Sequence, residues 1–128
     1  MLQYISSGAF SRMPITWGSR TEAHQGRTSP EELLAAAHAS CFSMAFANQL
    51  AKNGTIAERL DVRVDVTADK REAGWTVLSS AIKVSGVVPG IDAETFARVA
   101  EAAKDGCPIS RALVGNVELS VEPTLLDK

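Results

Sequence analysis

The chain has 128 residues, with 13 basic against 15 acidic side chains and 45% hydrophobic residues. That length predicts one domain over residues 1–128, with enough apolar material for a core. A net charge of −2 and 5% aromatics exclude an electrostatic footprint for nucleic acid or an anionic membrane, and a base-stacking platform.

Two cysteines are too few for a disulfide scaffold or an all-thiolate zinc site, and no CxxC or HxxxH pair sets up a mixed one. Met1-Leu2-Gln3-Tyr4 has neither a basic nor an apolar leader region, and no run of about 18 apolar residues follows. A cytoplasmic chain with reduced thiols is expected.

Residues 1–29 are loosely patterned around Gly8, Pro14, Gly18 and Gly26, with short strands expected at 2–6 and 15–19. The first strong element begins at Ser29-Pro30-Glu31-Glu32. Ser29 suits an N-cap, Pro30 the first helical position, and Glu32 closes a capping box. A helix is predicted to about Lys52, stopped by Asn53-Gly54. Its middle, residues 33–50, is almost continuously apolar, so it should be buried on most sides and central to the domain.

Leu60-Asp61-Val62-Arg63-Val64-Asp65-Val66 alternates strictly, the pattern of a half-buried strand. Glu72-Ala73-Gly74 reads as a turn, and residues 75–88 as a returning strand with Leu78, Ile82 and Val84 on one side. The two form an antiparallel hairpin, ended by Pro89-Gly90. Asp92 caps a second helix over 93–104, with Phe96, Val99, Ala100 and Ala103 as its buried stripe. Cys107-Pro108 opens a short third helix over 108–114, and residues 117–121 alternate as a last strand. Helix, two strands, two helices and a strand predict an α+β domain with an antiparallel sheet and helices on one face.

Cys107 sits at a predicted helix start, where free N–H groups favour a thiolate; a small buried hydrophobe is the alternative. Cys41 lies inside the apolar helix and needs a nearby cation to become reactive; Arg12, Arg20 and Arg27 are candidates. Glu31 is a favourable acid in the first helical turn, and His38 reads as a satisfied core histidine. Gly86, Gly90 and Gly115 form no phosphate-binding spacing.

The run Thr28-Ser29-Pro30-Glu31-Glu32-Leu33-Leu34-Ala35-Ala36-Ala37-His38-Ala39-Ser40-Cys41-Phe42-Ser43-Met44-Ala45 resembles the signature of the osmotically inducible protein C (OsmC) family. Pro89-Gly90-Ile91-Asp92 and Cys107-Pro108-Ile109-Ser110 also sit where that family has them. The His38 version resembles the OsmC branch more than the organic-hydroperoxide-resistance branch.

The resemblance implies an OsmC-like fold, an antiparallel sheet packed on a central buried helix, in an intertwined homodimer. It implies a thiol-dependent peroxidase for organic hydroperoxides, without metal, haem or flavin. The reactive thiolate falls on Cys41, which becomes a sulfenic acid. The resolving thiol falls on Cys107, which closes a disulfide, and a dithiol reductant of the lipoyl type resets the pair. The family's acid falls on Glu31 and its arginine most nearly on Arg20, with Arg27 a competitor. Fewer residues precede Ser6 than in the family pattern. Apolar residues such as Leu33, Phe42 and Met44 would suit a fatty or aromatic hydroperoxide.

Ten residues of straight helix would separate Glu31 from Cys41 by about 15 Å. A contact triad of Glu31, arginine and Cys41 therefore predicts a break in the helix, expected at residues 36–40. Two rival functions remain: a thiol sensor or inactive paralogue that oxidises once, and a metal module joining Cys41, Cys107 and His38.

Overall fold

The structure, a computed structural model, describes residues 6–21 and 26–127. Of the strand expected at 2–6, all but Ser6 lies outside the described residues. The elements are α1 (Trp17–Thr21), α2 (Pro30–Lys52), β1 (Arg59–Arg71), β2 (Gly74–Val87), α3 (Ala93–Gly106), α4 (Pro108–Leu113) and β3 (Glu118–Leu125).

The strand expected at 15–19 is instead a short helix. Ile15 makes only an isolated parallel bridge to Thr28. Thr16 and Ser19 then close a turn: the Ser19 hydroxyl donates to the Thr16 carbonyl at 2.6 Å, and Thr16 Oγ1 accepts from the Ser19 N–H at 3.3 Å. This local hydrogen bonding outcompetes an extended backbone.

α2 begins as the sequence predicts. Ser29 is extended at φ −142°, and its hydroxyl accepts from the Glu32 N–H at 3.1 Å. The Glu32 carboxylate accepts from Thr28 Oγ1 at 2.7 Å. The helix then runs unbroken for 23 residues, so the break expected at residues 36–40 is absent. Ser40 and Ser43 bond back to the carbonyls of Ala37 and Ala39 at 3.0 and 2.7 Å without interrupting it.

One stripe of α2 is buried, Ala35, His38, Phe42, Phe46 and Leu50, spaced by three and four residues as a helix face requires. Ala36, Ala37, Met44 and Ala47 are exposed. Burial on most sides therefore does not hold within one chain, because the small sheet, α3 and α4 leave one side of α2 uncovered.

β1 and β2 form the predicted antiparallel hairpin, from Arg59 opposite Val87 to Arg71 opposite Gly74. The register shifts at Thr67/Ala68, leaving Leu78 as the extra residue, so the alternation linking Leu78 to Ile82 and Val84 is interrupted there. β3 pairs with β2 in parallel, Ser79 opposite Glu118 to Gly86 opposite Leu125. The antiparallel sheet expected from the sequence is thus a mixed sheet of order β1-β2-β3. Alternation marks a strand but not its direction, and α3 with α4 supplies the long crossover that a parallel pair needs. Pro123 is tolerated because β3 is an edge strand.

The core joins Phe42, Phe46 and Leu50 of α2, Ile82 and Val84 of β2, and the predicted stripe of α3, Phe96, Val99, Ala100 and Ala103. Phe46 stacks between Phe42 and Phe96, with ring centroids 5.4 and 5.1 Å away. Gly86 is required here, since a Cβ would sit 2.8 Å from Leu60 Cδ2 and 3.1 Å from Phe96 Cζ.

Candidate active site

Cys41 and Cys107, 66 positions apart in the sequence, meet in the fold. Cys41 projects half-buried from the middle of α2, beside α4. Cys107 is fully buried at the junction where α3 ends and α4 begins. Its N–H bonds the Ala103 carbonyl at 3.0 Å and its carbonyl accepts from Arg111 at 2.9 Å, so both helices fix its backbone. Burial pushes the Cys41 thiol up, and the hydrogen bond with Cys107 adds to that rise; a hydrogen bond from the Ile109 backbone opposes it. Helix-start N–H chemistry does reach Cys41, but from α4 and not from a break in α2.

Arg20 and Glu31 also meet. Arg20 Nε donates to Glu31 Oε1 at 2.8 Å, with side chains 24% and 16% exposed, so the pair is only partly screened by water. Arg20 lies over the Trp17 ring, 5.4 Å from its centroid, and Trp17 packs edge-on to Trp75 at 5.9 Å. The pair borders a groove of about 380 Å³, lined among others by Ala35, Val64, Val66 and Trp75 and by neither cysteine. Arg27 is half-buried, and its Nε has no hydrogen-bond partner among the described residues.

The two pairs do not form one cluster within the chain. Along the unbroken α2, Glu31 and Cys41 are separated by about 15 Å and turned about 80° apart around the axis. The expected pocket of Leu33, Phe42 and Met44 is not formed either. Phe42 is fully buried in the core while Met44 is 75% exposed, because their positions fall on opposite sides of α2.

His38 is a satisfied core histidine, as the sequence predicts. It is fully buried, with Nδ1 2.6 Å from Ser80 Oγ and Nε2 2.7 Å from Ser110 Oγ. Burial lowers its pKa. Both ring nitrogens are engaged by serines and not by thiols, which leaves the Cys41–Cys107–His38 metal module without a free imidazole nitrogen. Among the described residues no group of three His, Cys, Asp or Glu side chains is arranged to hold a metal ion, and no helix is long and apolar enough to cross a membrane.

Sequence reasoning missed Ser80, the Ile109 backbone and the Trp17–Trp75 pair. Ser110 carries a legible signal: it follows Cys107 by three residues as Cys41 follows His38 by three.

A profile of the family described as OsmC-like protein matches residues 23–122. The chain belongs to the OsmC family. It is 40% identical over 116 residues to the peroxiredoxin OsmC of Escherichia coli K12, covering 91% of this chain and 80% of that one. It is 31% identical over 109 residues to the organic hydroperoxide resistance protein OhrA of Bacillus subtilis, covering 80% and 72%. The crystal structure of OhrB of Bacillus subtilis superposes with a TM-score of 0.78 at 23% identity, over 97% of this chain and 95% of that one, and so shares the fold. These OsmC-family relatives bear out the family and the peroxidase class of enzyme read from the sequence.

Proposed function

We propose that this chain is a homodimeric, cytoplasmic thiol peroxidase that reduces organic hydroperoxides through Cys41 and Cys107. The contact between two thiols so distant in sequence, one half-buried and one buried, carries this reading. The relatives named for peroxiredoxin and organic hydroperoxide resistance activity support the substrate class.

The Cys41 thiolate attacks the O–O bond, which breaks, giving Cys41 sulfenic acid and an alkoxide that leaves as the alcohol on protonation. Cys107 sulfur then attacks Cys41 sulfur; the S–S bond forms and the S–O bond breaks, releasing water. An external dithiol, of the lipoyl type, reduces the disulfide and is itself oxidised to a disulfide. No resident cofactor takes part in these steps.

Burial raises the pKa of Cys41, and among the described residues of its own chain no cation lowers it, so the first step needs a further group. A second copy supplies it. The exposed Ala36, Ala37, Met44 and Ala47 offer α2 an apolar face for a homodimer, and the Arg20–Glu31 pair of the second copy then serves Cys41 across the interface. Glu31 orients the guanidinium and Arg20 stabilises the thiolate.

The raised pKa of Cys41 is also the observation that favours the rival, a thiol that oxidises once. Steady-state assays separate the two. With cumene hydroperoxide and dihydrolipoamide, many turnovers per chain are expected; one equivalent consumed and no more establishes the rival.

A further inference from the structure

His38 is the buried titratable group that the peroxide chemistry leaves unused. Its two ring nitrogens face Ser80 of β2 and Ser110 of α4 at 2.6 and 2.7 Å. A neutral imidazole has one donor and one acceptor, so one serine donates to the ring and the other accepts from it.

The spacing ties this network to the thiols. His38 precedes Cys41 by three residues on α2, and Ser110 follows Cys107 by three at the start of α4. On α2, residues three apart lie on one face; Cys107 is the N-cap of α4, its carbonyl accepting from the Arg111 N–H, so Ser110 lies in the turn that Cys107 opens. The His38–Ser110 hydrogen bond and the Cys41–Cys107 contact are therefore two ties between the same two segments, one turn apart. Ile109, between them, gives the backbone hydrogen bond to Cys41. α4 has only six residues, too short to hold its shape without tertiary contacts.

We propose that His38 is a positioning residue for the resolving step, gripping Ser110 so that the first turn of α4 presents Cys107 to the Cys41 sulfur. It rests on the two-cysteine cycle above. In that step Cys107 sulfur is oxidised and Cys41 sulfur is reduced from the sulfenic level, and the hydroxyl leaves as water with the Cys107 proton. The bond formed is about 2.05 Å long with a narrow dihedral range. A misplacement of about 1 Å at such a centre costs up to about 100-fold in rate. His38 touches none of the reacting atoms; it acts through Ser110.

Four variants of the full chain test this. The amide nitrogen of Gln replaces Nε2 and that of Asn replaces Nδ1. His38→Gln therefore keeps the grip on Ser110, while His38→Asn keeps only the Ser80 side. Ser110→Ala and Ser80→Ala make the same division without touching His38, should the histidine variants fold poorly.

Each protein is given one equivalent of cumene hydroperoxide with dimedone present, and mass spectrometry follows the disulfide and the Cys41 adduct. Ser110→Ala and His38→Asn are expected to close the disulfide about 10–100-fold more slowly and to accumulate adduct. Peroxide consumption in the first step should stay within about twofold of wild type. Ser80→Ala and His38→Gln should close at nearly the wild-type rate.

A second arm omits peroxide and measures the 41–107 disulfide in a glutathione redox buffer. The effective concentration of Cys107 toward Cys41 should fall about tenfold or more in Ser110→Ala and His38→Asn alone. If hydroperoxide leaves wild type unreacted while this arm keeps the division, the peroxidase reading fails and the positioning role stands. If all four variants behave alike in both arms, His38 is a core residue only and the proposal falls. A wild type that forms no 41–107 disulfide in either arm overturns both.

Discussion

Chains carrying Arg20→Ala and chains carrying Cys41→Ser, each inactive alone, are expected to regain activity when co-expressed. Electrostatics within one chain cannot make Arg20 the activator. Glu31, the partner of Arg20 at 2.8 Å, lies about 15 Å from Cys41 along α2; at that separation and an effective dielectric of 20 a full charge is worth only about 1 kcal/mol, and the Glu31 carboxylate offsets most of the guanidinium's. A guanidinium in direct reach lowers a thiol pKa by about 1–3 units. Arg20→Ala should therefore slow alkylation of Cys41 by iodoacetamide at neutral pH about tenfold or more, and Arg27→Ala should do much less. Across a two-fold interface, a mixed dimer holds one complete site, Cys41 from one chain and Arg20 from the other. Random pairing then restores about one quarter of wild-type hydroperoxide consumption. If Arg20 acted within its own chain, no dimer in the mixture would hold a complete site. A mixture no more active than its parts, or a larger effect from Arg27→Ala, refutes the assignment.

Burial keeps His38 neutral in the folded chain and lowers its pKa, so the unfolded chain takes up a proton first as pH falls below about 6.5. Stability is held above that pH and lost below it, down to the folded pKa, with a slope of at most about 1.4 kcal/mol per pH unit. His38→Gln should flatten that slope in urea unfolding; an unchanged slope assigns it elsewhere. Phe46→Ala, emptying a fully buried site between two aromatic rings, should cost about 3–5 kcal/mol in the same assay. Light scattering at micromolar concentration should give the mass of two chains, reduced toward one by Met44→Glu on the exposed face of α2; a monomeric wild type contradicts the shared site.

Local features were the most legible part of the sequence. Ser29, Pro30 and the Asn53-Gly54 stop set the limits of α2, and the spacing of Phe96, Val99, Ala100 and Ala103 matched the buried stripe of α3, because capping and periodicity are local. The direction of β3 was not legible, since a period of two is the same for parallel and antiparallel strands. The expected break in α2 came from placing Glu31 and Cys41 in one contact within one chain. An unbroken helix separates them, and the cluster needs a second copy if it forms. The meeting of Cys41 with Cys107 follows from α3 returning its C-terminal end to α2, a tertiary event that 66 residues of spacing cannot encode. Ser80 was hidden because a serine inside a strand carries no mark of the histidine it will meet.

In the proposed cycle Cys41 takes the peroxide oxygen and Cys107 resolves it. The most direct test treats wild type, Cys41→Ser and Cys107→Ser with one equivalent of cumene hydroperoxide and maps the products by mass spectrometry. Wild type should carry an intramolecular 41–107 disulfide. Cys107→Ser should carry a trappable sulfenic acid on Cys41, and Cys41→Ser should be unmodified with the peroxide intact. A Cys41→Ser protein that still consumes peroxide, with oxidation appearing on Cys107, would contradict the account.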